Sequence, residues 1–513
     1  MSALFKHCRS VFSSSSAFYF REQVLQMSDA VKVIPDDESQ RENCTSPSEP
    51  VTFVEKSESS CSPCIPQPIP PELPVNKLYG IRSIIGTCLL LFSAYLGSIF
   101  FIAPLLPLAV LSPVLFRYFN DFLLTSWLMF AEFVICKVFG CRIRHFGDRV
   151  IPSTTTEHHS CLFLINHRTQ LDWFFVWGLG DPIQRMKIIL KDSLAKVPGA
   201  GWAMQCGSFI FLRRRIATDQ QRLQKIVEYL LKVKQSCQLL IFPEGTNLNS
   251  KSLERSDSYG EQNNLPYVRY TLHPRSTGFL HLVKLIGLDN LTEVYDVTVA
   301  YPDILPSPEI NLFYGHVPHE VHYHIRRFYL NDLLDITHDN RKLDDEINDK
   351  LSKWLQNRWL EKENILKEYY ANPIGKRSFQ NEITPDSLVF YVDSSDSIMF
   401  TYLGLFNTGF WFLSMFSLVY LTYTTFYIQI YFIITQLLFT YFTYYTNGVN
   451  IWATKWISNS VKGENNEIND IAFNTTTANN SRNIKRDDVD NNANNVFMHS
   501  VQYEGVDQNR KAT

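Results

Sequence analysis

Leu162-Phe163-Leu164-Ile165-Asn166-His167-Arg168-Thr169-Gln170-Leu171-Asp172 decides how the rest of this chain is read. An apolar run with the composition of a buried strand ends at Asn166-His167, and a carboxylate follows the imidazole five residues on. A neutral imidazole accepts a proton near neutral pH. A carboxylate beside it fixes the tautomer and stabilises the imidazolium. If Thr169 opens a helix, Asp172 falls in its first turn and reaches back to the ring. The nucleophile can then be a substrate hydroxyl. A plainer reading fits the same spacing: Thr169 to Asp172 is close to a capping box, with the carboxylate serving backbone N–H groups and His167 a turn residue.

A second apolar run, 239–241, leads into Phe242-Pro243-Glu244-Gly245-Thr246. Proline fixes the entry to a turn, Gly245 permits a backbone geometry or close approach that other residues resist, and Glu244 and Thr246 offer polar contacts to a head group. The alternative is an ordinary loop. Between the two motifs, Phe209-Ile210-Phe211-Leu212 runs into Arg213, Arg214 and Arg215. Guanidinium groups at a strand end suit bidentate phosphate binding, or equally a solvated or headgroup-facing basic cluster. Lys191, ahead of Val197-Pro198-Gly199-Ala200-Gly201-Trp202, can add charge to the same place. His316, His319, His322 and His324 raise a metal site, but no carboxylate at persuasive ligand spacing joins them, and the structural reading is favoured. Cys61 and Cys64 have redox or zinc spacing inside a Ser/Pro-rich tract, with no second pair.

The chain has 513 residues, a formal net charge of −3 and 45% hydrophobic residues, enough for one large domain with additions. Near-neutral charge gives no reason to expect a nucleic-acid partner. Residues 1–76 are rich in Ser, Pro, Glu and Asp and read as a mostly disordered extension, as does the Asn-rich tail 457–513. Lys6, Arg9 and Arg21 faintly resemble a mitochondrial presequence, which Glu22 and Asp29 interrupt. No charged residue occurs from Ser83 to Phe116, although Pro104, Pro107 and Pro113 break the second half. A span over 83–103 followed by an irregular or re-entrant piece is expected, then a second apolar segment, 122–139, that spans or lies on the bilayer. Residues 397–454 are again uncharged and fit two antiparallel spans, 398–421 and 426–445, joined near Thr424-Thr425. The hairpin returns the tail to the side it started from.

The water-soluble part is expected at 145–370, after N-terminal membrane segments over 77–144. A 371–396 linker and a membrane hairpin over 397–456 follow it. Strands are expected at 162–165, 209–212, 239–242, 294–300 and 321–325, and helices at 170–178, 220–234, 278–285 and 344–370. The alternation implies an α/β layered domain.

Asn166–Asp172 resembles the first motif of the membrane-bound glycerolipid acyltransferases, and Phe242–Thr246 resembles the third. Residues 166–173, 197–205, 240–246, Leu272-His273-Pro274-Arg275-Ser276-Thr277-Gly278-Phe279 and 297–302 are similar to the lysocardiolipin acyltransferase branch. The related 1-acylglycerol-3-phosphate acyltransferases stand alongside it. The resemblance runs roughly from residue 78 to 452. It implies an αβα-layered acyltransferase domain with N-terminal and C-terminal membrane helices, acting at the endoplasmic reticulum rather than the mitochondrion. Its reaction would be transfer of a fatty acyl group from acyl-CoA to the free hydroxyl of a lysophospholipid. In that reading His167 is the general base and Asp172 orients it. Arg214 is the phosphate contact, or Arg213 if the register moves by one. Glu244, Gly245 and Thr246 serve the acceptor, and Pro302 closes a fourth motif near the pocket. A thioester is already activated, so no metal or further cofactor is called for. A CoA-independent transacylase is the alternative. A lipid hydrolase would need a Gly-x-Ser-x-Gly elbow, which the sequence lacks.

Overall fold

The apolar run is a strand buried on both faces. In the computed structural model Ser160–Ile165 (β2) has all six residues buried. Its side chains alternate between two cores. Phe163 and Ile165 enter one with Leu90, Phe130, Val134 and Phe139. Leu162 and Leu164 enter the other with Ile226, Leu230, Phe279 and Leu282. Each fully buried side chain of this kind contributes about 1.5–3 kcal/mol. Truncating Phe163, which stacks on Tyr295 at 4.9 Å, would cost about 3–5 kcal/mol. The structure describes residues 77–456 apart from 149, 151–159, 177–185, 214, 234, 307–311, 313, 335–344 and 380–397. Both termini, Cys61, Cys64, Arg214 and most of the 371–396 linker lie outside those residues.

The sheet holds β1 (Arg142–Gly147), β2, β3 (Met186–Lys191), β4 (Ile210–Leu212), β5 (Gln238–Ile241), β6 (Leu291–Ala300) and β7 (Glu320–Tyr329). Their order is β1-β7-β6-β2-β5-β3-β4. From β6 to β4 neighbouring strands are parallel. β7 is antiparallel to β6, and β1 is parallel to β7. All five expected strands are present. β1 and β3 were not anticipated, since β1 is a charged edge strand and β3 carries Lys187 near its start. Lys187 is buried there because Asp121 pairs with it at 3.0 Å.

One face of the sheet is covered by α5 (Ile216–Lys232), α7 (Ser276–Ile286) and α8 (Asp345–Ala371); α1 (Lys77–Gly97), α2 (Pro113–Phe133), α3 (Asp172–Phe175) and α4 (Ala200–Cys206) precede α5, and α6 (Ser250–Gln262) lies between α5 and α7. The expected helices at 170–178, 220–234, 278–285 and 344–370 correspond to α3, α5, α7 and α8. α3 is the shortest of these, at four residues. α6 escapes periodicity because it has almost no apolar stripe. A reciprocal capping box between Asn249 and Ser252 starts it instead.

The opposite face is covered by the apolar helices themselves, so they form the third layer. Among the described residues four helices are long and apolar enough to cross a membrane: 80–105, 113–139, 404–424 and 426–445. The first two form a hairpin, broken at Pro104 and Pro107, that lies along the sheet. At one end Arg82 donates to the carbonyls of Val138 and Lys137 at 2.9 and 3.0 Å, where cations favour a helix C-terminus. At the other, Asp121 pairs with Lys187 at the start of β3, and Arg117 donates to Ser208 Oγ at 2.7 Å just before β4. The first pair of bonds ties the hairpin's two arms to each other, and the second set fastens its other end to the sheet. The C-terminal pair, α9 (Ile398–Thr424) and α10 (Phe426–Tyr445), breaks at Thr425 as expected. Its exit is also tied down: Val449 N donates to Gln205 Oε1 at 3.1 Å, and Asn450 Nδ2 to Phe209 O at 3.0 Å.

Candidate active site

Parallel strands end on one edge, and here the sequence motifs sit there. β2 delivers His167, β5 delivers Phe242 to Thr246, β3 ends on Lys191, β4 is followed by Arg213, and β6 is followed by Tyr301 and Pro302. Strands are spaced by about 4.8 Å, so the line from His167 past β5 and β3 to Arg213 extends over roughly 14 Å. Open α/β sheets bind ligands at this carboxyl edge.

His167 Nδ1 lies 2.8 Å from Asp172 Oδ2. The carboxylate is buried, so the neutral ring donates from Nδ1 and leaves Nε2 as the proton acceptor. The same Oδ2 accepts from the Thr169 backbone N–H at 3.0 Å, and Oδ1 accepts from the Tyr301 hydroxyl at 2.7 Å. Both readings of this stretch thus hold together: Asp172 serves a backbone amide and orients the imidazole. Helix α3 begins at Asp172 rather than Thr169. Burial, and after it the Asp172 charge, pushes the Tyr301 phenol well up, so it stays a donor.

Around the dyad the backbone is locked. Asn166 continues the β2–β6 ladder with its side chain: Nδ2 donates to Val299 O at 3.1 Å, and Val299 N donates to Oδ1 at 2.8 Å. Arg168 turns inward, donating to Tyr270 O at 2.7 Å and lying 4.9 Å over the Tyr370 ring. Phe242 stacks on the imidazole with ring centroids 4.3 Å apart, and Leu248 N donates to His167 O at 2.8 Å.

Glu244 is buried behind this ring. Trp359 Nε1 of α8 donates to its Oε1 at 3.0 Å, and the His167 backbone amide also bonds to the carboxyl. Burial pushes it up to about 8, so it is mainly the neutral acid at neutral pH. Gly245 is exposed with φ +73°, a conformation that L side chains avoid. The Arg275 side chain lies beside it, 3.7 Å from where a Cβ would sit. Arg275 is exposed, and Thr246 is half-buried. Pro302 is buried, and its carbonyl accepts from Arg377 Nη1 at 2.8 Å.

Lys191 and Arg213 are exposed or partly exposed at the far end of the line. Arg213 is already engaged: its Nε bonds to Asp192 Oδ1 at 3.1 Å and its Nη2 to Asn447 Oδ1 at 2.8 Å. Arg222 shares the same aspartate at 3.0 Å. No group of three His, Cys, Asp or Glu suited to a metal occurs among the described residues. His322 is buried between Glu320 at 2.9 Å and the Tyr369 hydroxyl at 2.9 Å, so its carboxylate partner lies two residues away on its own strand.

Next to α3 opens an almost wholly apolar cavity. Trp173 and Phe174, which follow Asp172 directly, line it together with the N-terminal helical hairpin. Gly199 lets that hairpin close in: a Cβ there would fall 2.3 Å from Tyr95 Cα.

Tyr301, Phe242 and Trp359 were not assigned roles from the sequence. Tyr301 and Phe242 lay inside quoted motifs, immediately after apolar runs, which was the available signal. Trp359 gave none, being 115 residues from its partner Glu244.

The family model for acyltransferases matches residues 142–302. Lysocardiolipin acyltransferase 1 of Danio rerio is 38% identical over 292 residues, covering 56% of this chain and 71% of that protein. The chain belongs to the acyltransferase family. Lysophosphatidylinositol acyltransferase 10 of Caenorhabditis elegans is 32% identical, covering 57% of this chain and 73% of its own length. The probable 1-acyl-sn-glycerol-3-phosphate acyltransferase 5 of Arabidopsis thaliana is 31% identical, covering 67% and 90%. This acyltransferase is an enzyme of O-acyl transfer, with membrane-length helices on one face of its sheet.

Proposed function

We propose that this acyltransferase moves a fatty acyl group from acyl-CoA to the free hydroxyl of a lysophospholipid at the endoplasmic reticulum membrane. The observation that carries this is the 2.8 Å His167–Asp172 pair, set at the sheet's carboxyl edge, with an apolar cavity next to α3. The three relatives, by their names, act on lysocardiolipin, lysophosphatidylinositol and 1-acylglycerol-3-phosphate, all of which place a free hydroxyl near a phosphate.

In this reading Nε2 of His167 takes the proton of the lysolipid hydroxyl as its oxygen attacks the thioester carbonyl. The C–O bond forms, the tetrahedral intermediate collapses, and the C–S bond breaks. The imidazolium then returns its proton to the departing CoA thiolate. Asp172 holds the Nδ1–H tautomer throughout and balances the transient positive charge. Glu244 acts as a positioning residue, fixing the His167 amide from behind. Gly245, Thr246 and Arg275 face the acceptor, and Lys191 supplies charge for phosphates further along the edge. Pro302 helps shape the wall on the β6 side. Lipid chains stay in the bilayer because exposing each methylene costs about 0.8 kcal/mol, so the apolar layer brings the site to its substrate.

The test is His167→Ala in native membranes, with labelled acyl-CoA or labelled diacyl phospholipid as sole donor. The variant should stay membrane-bound and lose acyl transfer. Retained turnover would remove His167 as the base, and transfer from the diacyl donor alone would make the enzyme a transacylase.

A further inference from the structure

Helix α8 meets the carboxyl edge of the sheet with one stripe of its surface. Trp359, Glu363, Leu366 and Tyr370 follow one another at intervals of three and four residues, the spacing that sets side chains on one helix face. Trp359 holds Glu244, as described above. One turn on, Glu363 accepts from the backbone N–H groups of Arg269, Tyr270 and Thr271 at 2.6, 3.0 and 2.9 Å, and from the Thr271 hydroxyl at 3.0 Å. Hydrogen bonds to a carboxylate are among the stronger ones. They fix the loop whose Tyr270 carbonyl accepts from Arg168, the residue that follows His167.

Tyr370, in the last turn of α8, comes closer to the reacting groups. Its hydroxyl accepts from Tyr301 N at 3.1 Å and donates to Tyr301 O at 3.3 Å, across 69 positions of chain. Tyr301 follows β6 directly, beyond the last register pair with β7, Ala300 with His322. It is fully buried, so its backbone N–H and C=O both need partners, and one hydroxyl serves the two. The Tyr370 ring is itself pinned. Tyr270 stacks on it at 5.6 Å and 4°, and the guanidinium carbons of Arg168 and Arg377 lie 4.9 and 5.1 Å from its centre. A hydroxyl on an immobilised ring is a fixed point in the structure. From it the contacts run to the Tyr301 backbone, from the Tyr301 phenol to Asp172, and from Asp172 to His167.

We propose that Tyr370 is a positioning residue for the reaction: its hydroxyl sets where Tyr301 stands, and through Tyr301 it holds Asp172 and His167 in the geometry that proton transfer requires. This rests on the reading of His167 as the base given above. A reacting group misplaced by about 1 Å loses on the order of a hundredfold in rate, so a hydroxyl that never touches substrate can govern turnover.

Tyr370→Phe removes only the hydroxyl and keeps the ring among Tyr270, Arg168 and Arg377. In native membranes, with labelled acyl-CoA and a lysophospholipid, it should lower kcat by about tenfold, the scale of one lost hydrogen bond, and leave KM for both substrates near wild type. Tyr301→Phe is the informative partner. If the Tyr370 hydroxyl works by placing the Tyr301 phenol, the double variant carrying Tyr301→Phe and Tyr370→Phe should be no slower than Tyr301→Phe alone. Multiplied losses in the double variant, wild-type kcat in Tyr370→Phe, or a raised KM with kcat kept would each overturn the proposal.

A readout without turnover accompanies this: amide hydrogen exchange of the detergent-solubilised full chain, followed by mass spectrometry. In Tyr370→Phe the peptide covering 299–304 should exchange faster, while the one covering 160–165 keeps its wild-type rate. An unmoved 299–304 peptide, or faster exchange in both, would also overturn the proposal. Turnover retained in His167→Ala, with the two tyrosines still coupled, would sink the reading of the base and leave the hold on Tyr301 standing. A dead His167→Ala with independent tyrosines would do the reverse.

Discussion

Tyr301 donates its hydroxyl to Asp172 Oδ1 at 2.7 Å, opposite the oxygen that meets His167. The phenol shares a charge that would otherwise be held by the imidazole and the Thr169 amide. Tyr301→Phe should concentrate that charge on His167 and make the imidazolium easier to form. The acidic limb of kcat/KM should move to higher pH, with kcat lower by roughly tenfold, the scale of one hydrogen bond to a charged group. A pH–rate profile identical to wild type would show that Tyr301 is only packing.

Glu244 makes the fold pH-sensitive. Its folded value of about 8 lies above the ordinary 4.5, so the native state binds the extra proton. The stability it contributes is fully present below about 4.5 and is lost as pH rises through about 8. Glu244→Gln cannot ionise and should remove that slope. Thermal melts of the detergent-solubilised protein across this range should show wild-type Tm falling more steeply than the variant's. Parallel curves would mean that Glu244 is not held neutral.

Asn166 completes the β2–β6 ladder through its amide. Asn166→Ala leaves the Val299 N–H and C=O without partners in a buried site, at a cost of about 2–4 kcal/mol. Asn166→Asp should fare no better, because a carboxylate cannot donate to the Val299 carbonyl. Denaturant midpoints report this directly, and an unchanged midpoint for either variant would contradict the ladder role.

Arg275 and Arg213 should separate by kinetics. Arg275 is exposed beside Gly245, close to the dyad, so Arg275→Ala should raise KM for the phosphate-bearing acceptor by about tenfold with kcat nearly kept. Arg213 is spent on Asp192 and Asn447, so its removal should have a smaller effect on KM and loosen the C-terminal segment. A fall in kcat with KM unchanged for Arg275→Ala would place that residue in the chemistry instead.

Local pattern reached a long way in this protein. β2 is legible because strand periodicity, and burial on both faces, depend on near neighbours, and the apolar helices declare themselves by length and absence of charge. His167 and Asp172 share one short turn, so their meeting needs little from the rest of the chain. β1 and α6 were not legible, since an edge strand and a capped polar helix carry no continuous apolar signal.

Sequence by itself determined the two motifs, the strand-and-helix alternation and the membrane-length segments, because each is written within a few turns of chain. Only the tertiary structure decided that the apolar helices are the third layer of the sheet, that Tyr301 and Trp359 close on the dyad and its glutamate, and that the Tyr370 hydroxyl reaches the Tyr301 backbone. Those contacts join residues far apart in the chain, 66 positions for Asp121–Lys187, 115 for Trp359–Glu244 and 129 for Tyr301–Asp172, and no periodicity encodes them. They exist because the parallel strand ends gather on one edge, and because both apolar faces of the sheet are buried.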